Sequence, residues 1–511
     1  MFHYGKDHLT AGKALAILHG ALNAQIAEDT RTKIQGCYEA VVDIAGDHQA
    51  VYGINTGFGP LCNTKISPDE TRELQRKILL SHSVGVGEPV TADIAKLMLI
   101  LKVHALAKGY SGIHTEVLDR MIWHISNDVT PVVPAQGSVG ASGDLAPLAH
   151  LFLPLIGEGQ VRYQGQTRPA ADILQQHDLA PLQLGPKAGL ALINGTQFIA
   201  AHAVMVVDQL HNCLAHADLI GALMIEGLQG SRRPFHEALH QTRPYPGNRH
   251  VAHRIDALLR DSAIMEAHAD CDRVQDPYSL RCIPQVHGAS RTAWLHLKEL
   301  LEIELNAVTD NPVVFNRDFT ISGGNFHGQP LALPLDYACL AAAELGNISD
   351  RRSYLSLEGK HGLPKLLMEE TGVNSGFMLL QYTAAALVSE NKGLCFPASA
   401  DSIPTSLGQE DHVSMGSIGG RKALRVCENL RRILAIELLC AAQALDFRRP
   451  LRSSESLEAL HAHIRQYITF AEEDRIFAED INRAAELIGS KELLGVSKRY
   501  LRDEEVVFER F

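Results

Sequence analysis

Apolar residues recur at every third or fourth position over long stretches of this chain, and strict apolar–polar alternation is scarce. The clearest stretch runs from Ile418 to Phe447, with Leu424, Cys427, Leu430, Leu434, Leu438, Ala441 and Leu445 on one stripe. That spacing is the mark of a helix laid along a core. Arg448, Arg449 and Pro450 then end it, because proline cannot continue the hydrogen-bond ladder. The same pattern predicts helices over Ala92–Lys108, with Thr91 as N-cap, over Arg291–Ala307, stopped by the turn Thr309–Pro312, and over Pro334–Leu357 and Gly376–Asn391. Helices of this length bury their stripes against one another. The expected fold is all-α (mainly α), a long central helix bundle with a smaller N-terminal part. Residues 1–511 are expected to form one continuous unit. Its N-terminal part covers approximately residues 1–200; the long-helix bundle and C-terminal helices cover approximately 201–511. No repeat of 20–50 residues and no low-complexity linker interrupts it.

Composition narrows the function classes. The chain is 46% hydrophobic and 21% charged, an ordinary globular balance. Its net charge of −12 and pI of about 6.1 argue against a nucleic-acid surface. Nine cysteines without a CxxC pair fit reduced thiols better than a disulfide framework or a zinc ribbon. The N-terminus has no basic stretch followed by an apolar region and a cleavage site, and no apolar run of about 20 residues occurs. A soluble cytoplasmic protein is expected.

His236-Glu237-Ala238-Leu239-His240 matches HExxH, which on a helix would aim two imidazoles at one zinc ion. Gln241-Thr242-Arg243 follows instead of a glycine and a third histidine, so a zinc hydrolase through His236 and His240 is the distant alternative and a polar helix face the simple one. The glycine-rich stretches are not nucleotide loops. YGINTGFG lacks GxGxxG spacing, GSVGASG has no following Gly-Lys-Ser/Thr, and Ser142 is in no GxSxG elbow.

GSVGASGDLAPLAH, from Gly137 to His150, places three glycines, two serines and an alanine between apolar flanks. In a tight bend the Gly143 nitrogen can attack the Ala141 carbonyl carbon and close a five-membered ring. Glycine lowers the steric barrier to that bend, and alanine crowds the carbonyl little. Loss of one water completes the ring, and loss of a second turns the Ser142 side chain into an exocyclic methylene. A plain turn is the alternative reading of the tripeptide.

The stretch resembles the segment that becomes the methylidene-imidazolone group of the aromatic amino acid ammonia-lyases. Further motifs agree in order: YGINTGFGP at 52–60, SHSVGVG at 81–87, GLALINGTQ at 189–197, VQDPYSLRC at 274–282, TDNP at 309–312, SGGNFHGQP at 322–330, NSGFM at 374–378 and QEDHVSMG at 409–416. The resemblance implies a mainly α-helical fold whose N-terminal part carries the group. It implies a 4-methylidene-imidazol-5-one formed autocatalytically from Ala141, Ser142 and Gly143, with no metal required, and a homotetramer with shared sites. The motifs lie nearest the members acting on histidine. They imply non-oxidative elimination of ammonia from L-histidine to trans-urocanate, a carbon–nitrogen lyase reaction of histidine degradation, with a small-molecule amino acid as substrate and neither nucleic acid nor membrane as partner.

Carried over by motif, Tyr52 removes the β-proton, which requires lowering from a tyrosine pKa of about 10. Arg281 holds the substrate carboxylate in its planar fork. Asn194 and Gln275 bind the substrate and polarise the ring carbonyl, Tyr278 assists the amine, Phe326 packs beside the group, and Asp144 positions the tripeptide. Each also has a structural reading: a packed aromatic, a surface ion pair, a buried amide. Glu410 is catalytic and faces the imidazole, whose N–H a carboxylate can accept. His82 falls where histidine-acting members carry Ser-His, a place where tyrosine-acting members also have histidine. A tyrosine ammonia-lyase or aminomutase with the same group is therefore the alternative. NFHGQP departs from the HAEP of many bacterial histidine-acting members, which bears on pocket shape.

Overall fold

The computed structural model describes residues 1–47, 51–57, 66, 68–269, 273–501 and 506–508. Phe58, Gly59 and Pro60, the end of the first motif, lie outside the described residues, as do Cys62 and Cys271. The seven described cysteines are all free.

Seven helices position the site: α1 (Ala92–Leu106), α2 (Leu145–Phe152), α3 (Gln197–Gly227), α4 (Ile283–Leu305), α5 (Gln329–Ser356), α6 (Met378–Leu394) and α7 (Gly416–Asp446). The fold is mainly α. Strands are short and gather in two- and three-stranded sheets. One of these, Val86–Pro89 against Pro134–Gln136, ends where the glycine-rich loop begins.

α3 is the axis of the bundle. It is apolar on all sides and buried along nearly its whole length, with α7 as its main neighbour; α5 packs on α7 and α4 on α5. Surrounding helices cover every face, so a one-sided stripe is not needed. By length and composition α3 could cross a membrane, but 78% of its most apolar window is buried inside this fold. Buried ion pairs link the same helices. Asp218 on α3 meets Arg291 and, at 2.9 Å, His287 on α4, while Arg352 on α5 clasps Glu437 on α7 at 2.5 and 2.9 Å.

α7 and α1 fall within about two residues of the periodicity's prediction, and Thr91 caps α1 by accepting from the Ile94 N–H at 3.4 Å. Two starts differ. α4 begins at Ile283, before its expected start at Arg291. α5 begins at Gln329, so Pro330 takes the tolerated first-turn position and Pro334 lies inside the helix.

Candidate active site

The loop before α2 is held in a conformation that suits few residues. Ser142 has φ 51° and Gly143 φ 77°, two successive left-handed residues, with Gly140 at φ 79° just before them. A serine there is uncommon and persists only where its surroundings fix it. Gly143 runs beside Gly195: the Asp144 N–H donates to the Gly195 carbonyl at 2.8 Å, and the Gly195 N–H lies 3.5 Å from the Ser142 carbonyl. A Cβ on Gly143 would stand 2.1 Å from the Gly195 oxygen, and one on Gly140 2.1 Å from Ser414 Oγ. At Gly143 the obstacle is backbone, so no side chain fits there.

Asp144 anchors this turn to the bundle. Its carboxylate accepts from the Phe198 and Ile199 amides at 3.1 and 3.0 Å, in the first turn of α3, and from Ser138 Oγ at 3.3 Å. Burial pushes its carboxyl up to about 7, against these donors, which favour the carboxylate. Asn194 ends the Ala188–Ile193 helix beside it. Its side chain is buried, and Oδ1 has no hydrogen-bond partner among the described residues. An orphaned buried acceptor beside a left-handed turn with no room for a Cβ at Gly143 fits a ring built from Ala141, Ser142 and Gly143. Lys102 of α1 lies behind it, donating to the Asn194 carbonyl and, at 3.4 Å, to Gln197 Oε1. Burial lowers its ammonium to about 7.

Glu410 reaches the turn from the far part of the sequence. Ser142 Oγ donates to Glu410 Oε1 at 2.9 Å, while the hydroxyls of Thr405 and Ser406 donate to Oε2 at 2.9 and 3.1 Å. His82 ends the Pro68–His82 helix, half-buried, with Nδ1 3.0 Å from Ser81 Oγ. Burial lowers its imidazole and the Glu410 charge opposes that, so the two groups lie within electrostatic reach. Phe326 is half-buried beside His327, whose ring lies 3.4 Å from that of His412, joining its loop to the Glu410 segment. The Tyr52 segment packs on the helix leading to Asn194, since a Cβ on Gly53 would meet Leu190 at 2.5 Å.

Gln275, Tyr278 and Arg281 lie elsewhere. Asp276, between them, accepts from the Ser231 N–H at 2.5 Å just past the C-terminus of α3, and the Ser279 carbonyl accepts from Arg352 near the C-terminus of α5. The tripeptide sits at the opposite ends of both helices, against Phe198 and near Gly328. α3 has 31 residues, or about 45 Å at the helical rise. Within one chain, then, Arg281 and Ser142 are far apart. Gln275 is exposed, and Tyr278 is 71% exposed with the Arg281 guanidinium 4.5 Å over its ring. Arg281 Nε donates to the Asp276 carbonyl at 3.0 Å.

The HExxH stretch is not arranged as a ligand pair. His236 caps the short helix Glu237–Gln241, its Nδ1 accepting from Ala238, and His240 Nε2 is bonded to the Pro234 carbonyl at 2.8 Å. Lys102, Thr405 and Ser406 escaped the sequence reading. Lys102 left one trace, a charge in the middle of the apolar run LMLILKVHAL, where the fold must supply a partner for it.

Comparison with known proteins agrees with the fold. The family model described as aromatic amino acid lyase matches residues 9–466. The histidine ammonia-lyase of Sorangium cellulosum is 52% identical over 459 residues, covering 88% of this chain and 89% of that protein; that of Natranaerobius thermophilus is 43% identical, covering 96% and 97%. Among solved structures, histidine ammonia-lyase from Trypanosoma cruzi superposes with a TM-score of 0.91 at 40% identity, covering 99% of this chain and 96% of that one. Tyrosine aminomutase from Streptomyces globisporus gives 0.93 at 33% identity, covering 99% and 100%. The fold is thus shared by proteins named for different substrates. With the family's pattern spanning nearly the whole sequence, and a turn that leaves no room for a Cβ at Gly143 where that pattern puts its reactive tripeptide, this chain belongs to the aromatic amino acid lyase family.

Proposed function

We propose that this lyase eliminates ammonia from L-histidine, without oxidation, to give trans-urocanate in cytoplasmic histidine degradation. The observation that carries the reading is the Glu410 carboxylate held 2.9 Å from the Ser142 hydroxyl. An acid at this place accepts an imidazole N–H, which phenylalanine does not offer. The higher identity to relatives named for histidine supports it further.

Ala141, Ser142 and Gly143 close, with loss of two waters, into a methylidene-imidazolone that supplies an electrophilic methylene for the substrate amine. The left-handed turn, the room denied to a Cβ at Gly143 and the orphaned Asn194 oxygen fit such a ring. Arg281 binds the substrate carboxylate bidentately, Tyr52 takes the β-proton, Gln275 with Asn194 binds the substrate and polarises the ring carbonyl, and Tyr278 assists at the amine end. Asn194 and Phe326 border the ring, and His82 and Glu410 receive the imidazole. Arg281 and Ser142 stand at opposite ends of α3, so a site that uses both needs more than one copy, and a homotetramer is the assembly proposed to supply it. The exposed apolar residues Leu333, Tyr337 and Leu340 of α5, with Leu379 and Tyr382 of α6, supply a face for it.

Product analysis with histidine, tyrosine and phenylalanine tests the reading. Urocanate and ammonia are expected from histidine, with an intact mass two waters below the sequence mass. A preference for tyrosine, a β-amino acid product, or active protein of unmodified mass overturns it.

A further inference from the structure

The Glu410 carboxylate is divided between two kinds of partner. Oε1 faces the Ser142 hydroxyl at 2.9 Å; Oε2 accepts from Thr405 Oγ1 at 2.9 Å and Ser406 Oγ at 3.1 Å. The second water of ring formation carries away the Ser142 oxygen. Oε1 then loses its donor, while Oε2 keeps both of its own. Thr405 and Glu410 are held side by side by the backbone: the Thr405 N–H donates to the Glu410 carbonyl at 2.9 Å, and the Gly408 N–H returns to the Thr405 carbonyl at 3.0 Å. Between them Ser406, Leu407 and Gly408 are left-handed in succession, at φ 49°, 55° and 86°. Two of these are not glycine, a conformation maintained only where something fixes it.

We infer that Thr405 and Ser406 are positioning residues for histidine turnover, anchoring one oxygen of Glu410 so that the other is left open and aimed for the substrate imidazole. This rests on the reading of Glu410 as the imidazole-binding group. A free carboxylate rotates about its last bond, and a substrate must then fix it on binding. Here two hydroxyls fix it beforehand, which preserves binding energy for the reaction. Hydroxyl donors suit the task because they stabilise the carboxylate without adding a cation that would compete with the imidazole.

The test is a set of double-mutant cycles read by kcat/KM for histidine and by intact mass. Thr405→Val and Ser406→Ala are each expected to lower kcat/KM by roughly tenfold to a hundredfold, with the loss of two waters complete. Thr405→Ser restores most of the loss. Ser406→Gly removes the hydroxyl but suits the left-handed backbone better, so it is expected to cost as much as Ser406→Ala. In a Glu410→Ala background all of these changes fall nearly silent, because the group they position is gone. The inference is overturned if the losses persist unchanged without the Glu410 carboxylate, if Ser406→Gly retains full turnover, or if the lost activity tracks unmodified mass. Glu410→Ala with undiminished histidine turnover removes the underlying reading and the inference together; failure of the cycles alone leaves that reading standing.

Discussion

Ser142 and Glu410, 268 positions apart in sequence, are joined by a hydroxyl-to-carboxylate hydrogen bond of 2.9 Å. The bond ties the residue proposed to give the electrophile to the group proposed to read the substrate ring. Glu410→Gln preserves shape but replaces the carboxylate with a neutral amide. Histidine kcat/KM is expected to fall about a hundredfold or more, with any residual turnover of phenylalanine and tyrosine little changed and the mass still two waters low. Equal losses for all three amino acids would show that Glu410 does not read the imidazole.

Gly143→Ala and Gly165→Ala separate crowding from backbone strain. Both glycines have φ 77°, but a Cβ on Gly143 meets the Gly195 oxygen at 2.1 Å and one on Gly165 meets nothing within 4 Å. Gly165→Ala is expected to cost about 1 kcal/mol, seen as a small drop in the urea midpoint. Gly143→Ala is expected to abolish ring formation and leave the unmodified mass. Full modification of that variant refutes the account of the turn.

Asp144→Ala leaves the Phe198 and Ile199 amides without their acceptor at the start of α3. Unpaired buried donors cost about 1–3 kcal/mol. The expected outcome is a lower urea midpoint together with a large fraction of unmodified chains by intact mass, and Asp144→Asn, which keeps an acceptor, lies between. Complete modification in Asp144→Ala would reduce Asp144 to a bystander of ring formation.

Mixing is the check on the split site. Ser142→Ala and Arg281→Ala chains, each inactive alone, are expected to recover part of the wild-type rate when unfolded and refolded together, because Ser142 and Arg281 sit at opposite ends of α3. Recovery no greater than the sum of the separate proteins contradicts sharing.

Acid is expected to destabilise the fold. Burial lowers His104, His124, His202 and His216 from 6.5 to about 4. They are neutral in the native state, whereas the unfolded chain binds their protons below pH 6.5. Stability is therefore present above that pH and is lost as pH falls toward 4, by about 1.4 kcal/mol per unit for each. Asp144 and Glu226, raised by burial to about 7, work the other way over this window. Four groups against two leave acid unfavourable, and urea midpoints at pH 7 and pH 5 measure the difference. Equal midpoints contradict it.

The helices were legible where one side was buried and the other wet. α7 shows its stripe at Leu424, Cys427 and Leu430, and its ends were predicted closely. α3 escaped notice for the opposite reason: surrounded on all sides, it has no stripe to see. The tripeptide could be read because the proposed ring closure favours small residues. The placement of Asn194 and Glu410 beside it could not be derived from spacing, since only the packed fold brings residues 142, 194 and 410 together. Thr405 and Ser406 carried no pattern at all; a hydroxyl acquires its role from the carboxylate it meets.

The turn at Ser142 also sets an order in time. It is held by Asp144 on the start of α3, by the Met415 N–H on the Val139 carbonyl at 2.9 Å and by Ser417 Oγ on the Ser138 carbonyl at 2.6 Å. These contacts come from two distant parts of the sequence, residues 198–199 and 415–417, so a nascent chain that has not yet made residues 415–417 lacks part of the clamp. Ring closure of the kind proposed then follows folding instead of accompanying synthesis. On that reading, a misfolded or truncated chain lacks the clamp that ring closure needs, and the proposed electrophile arises only inside a folded protein.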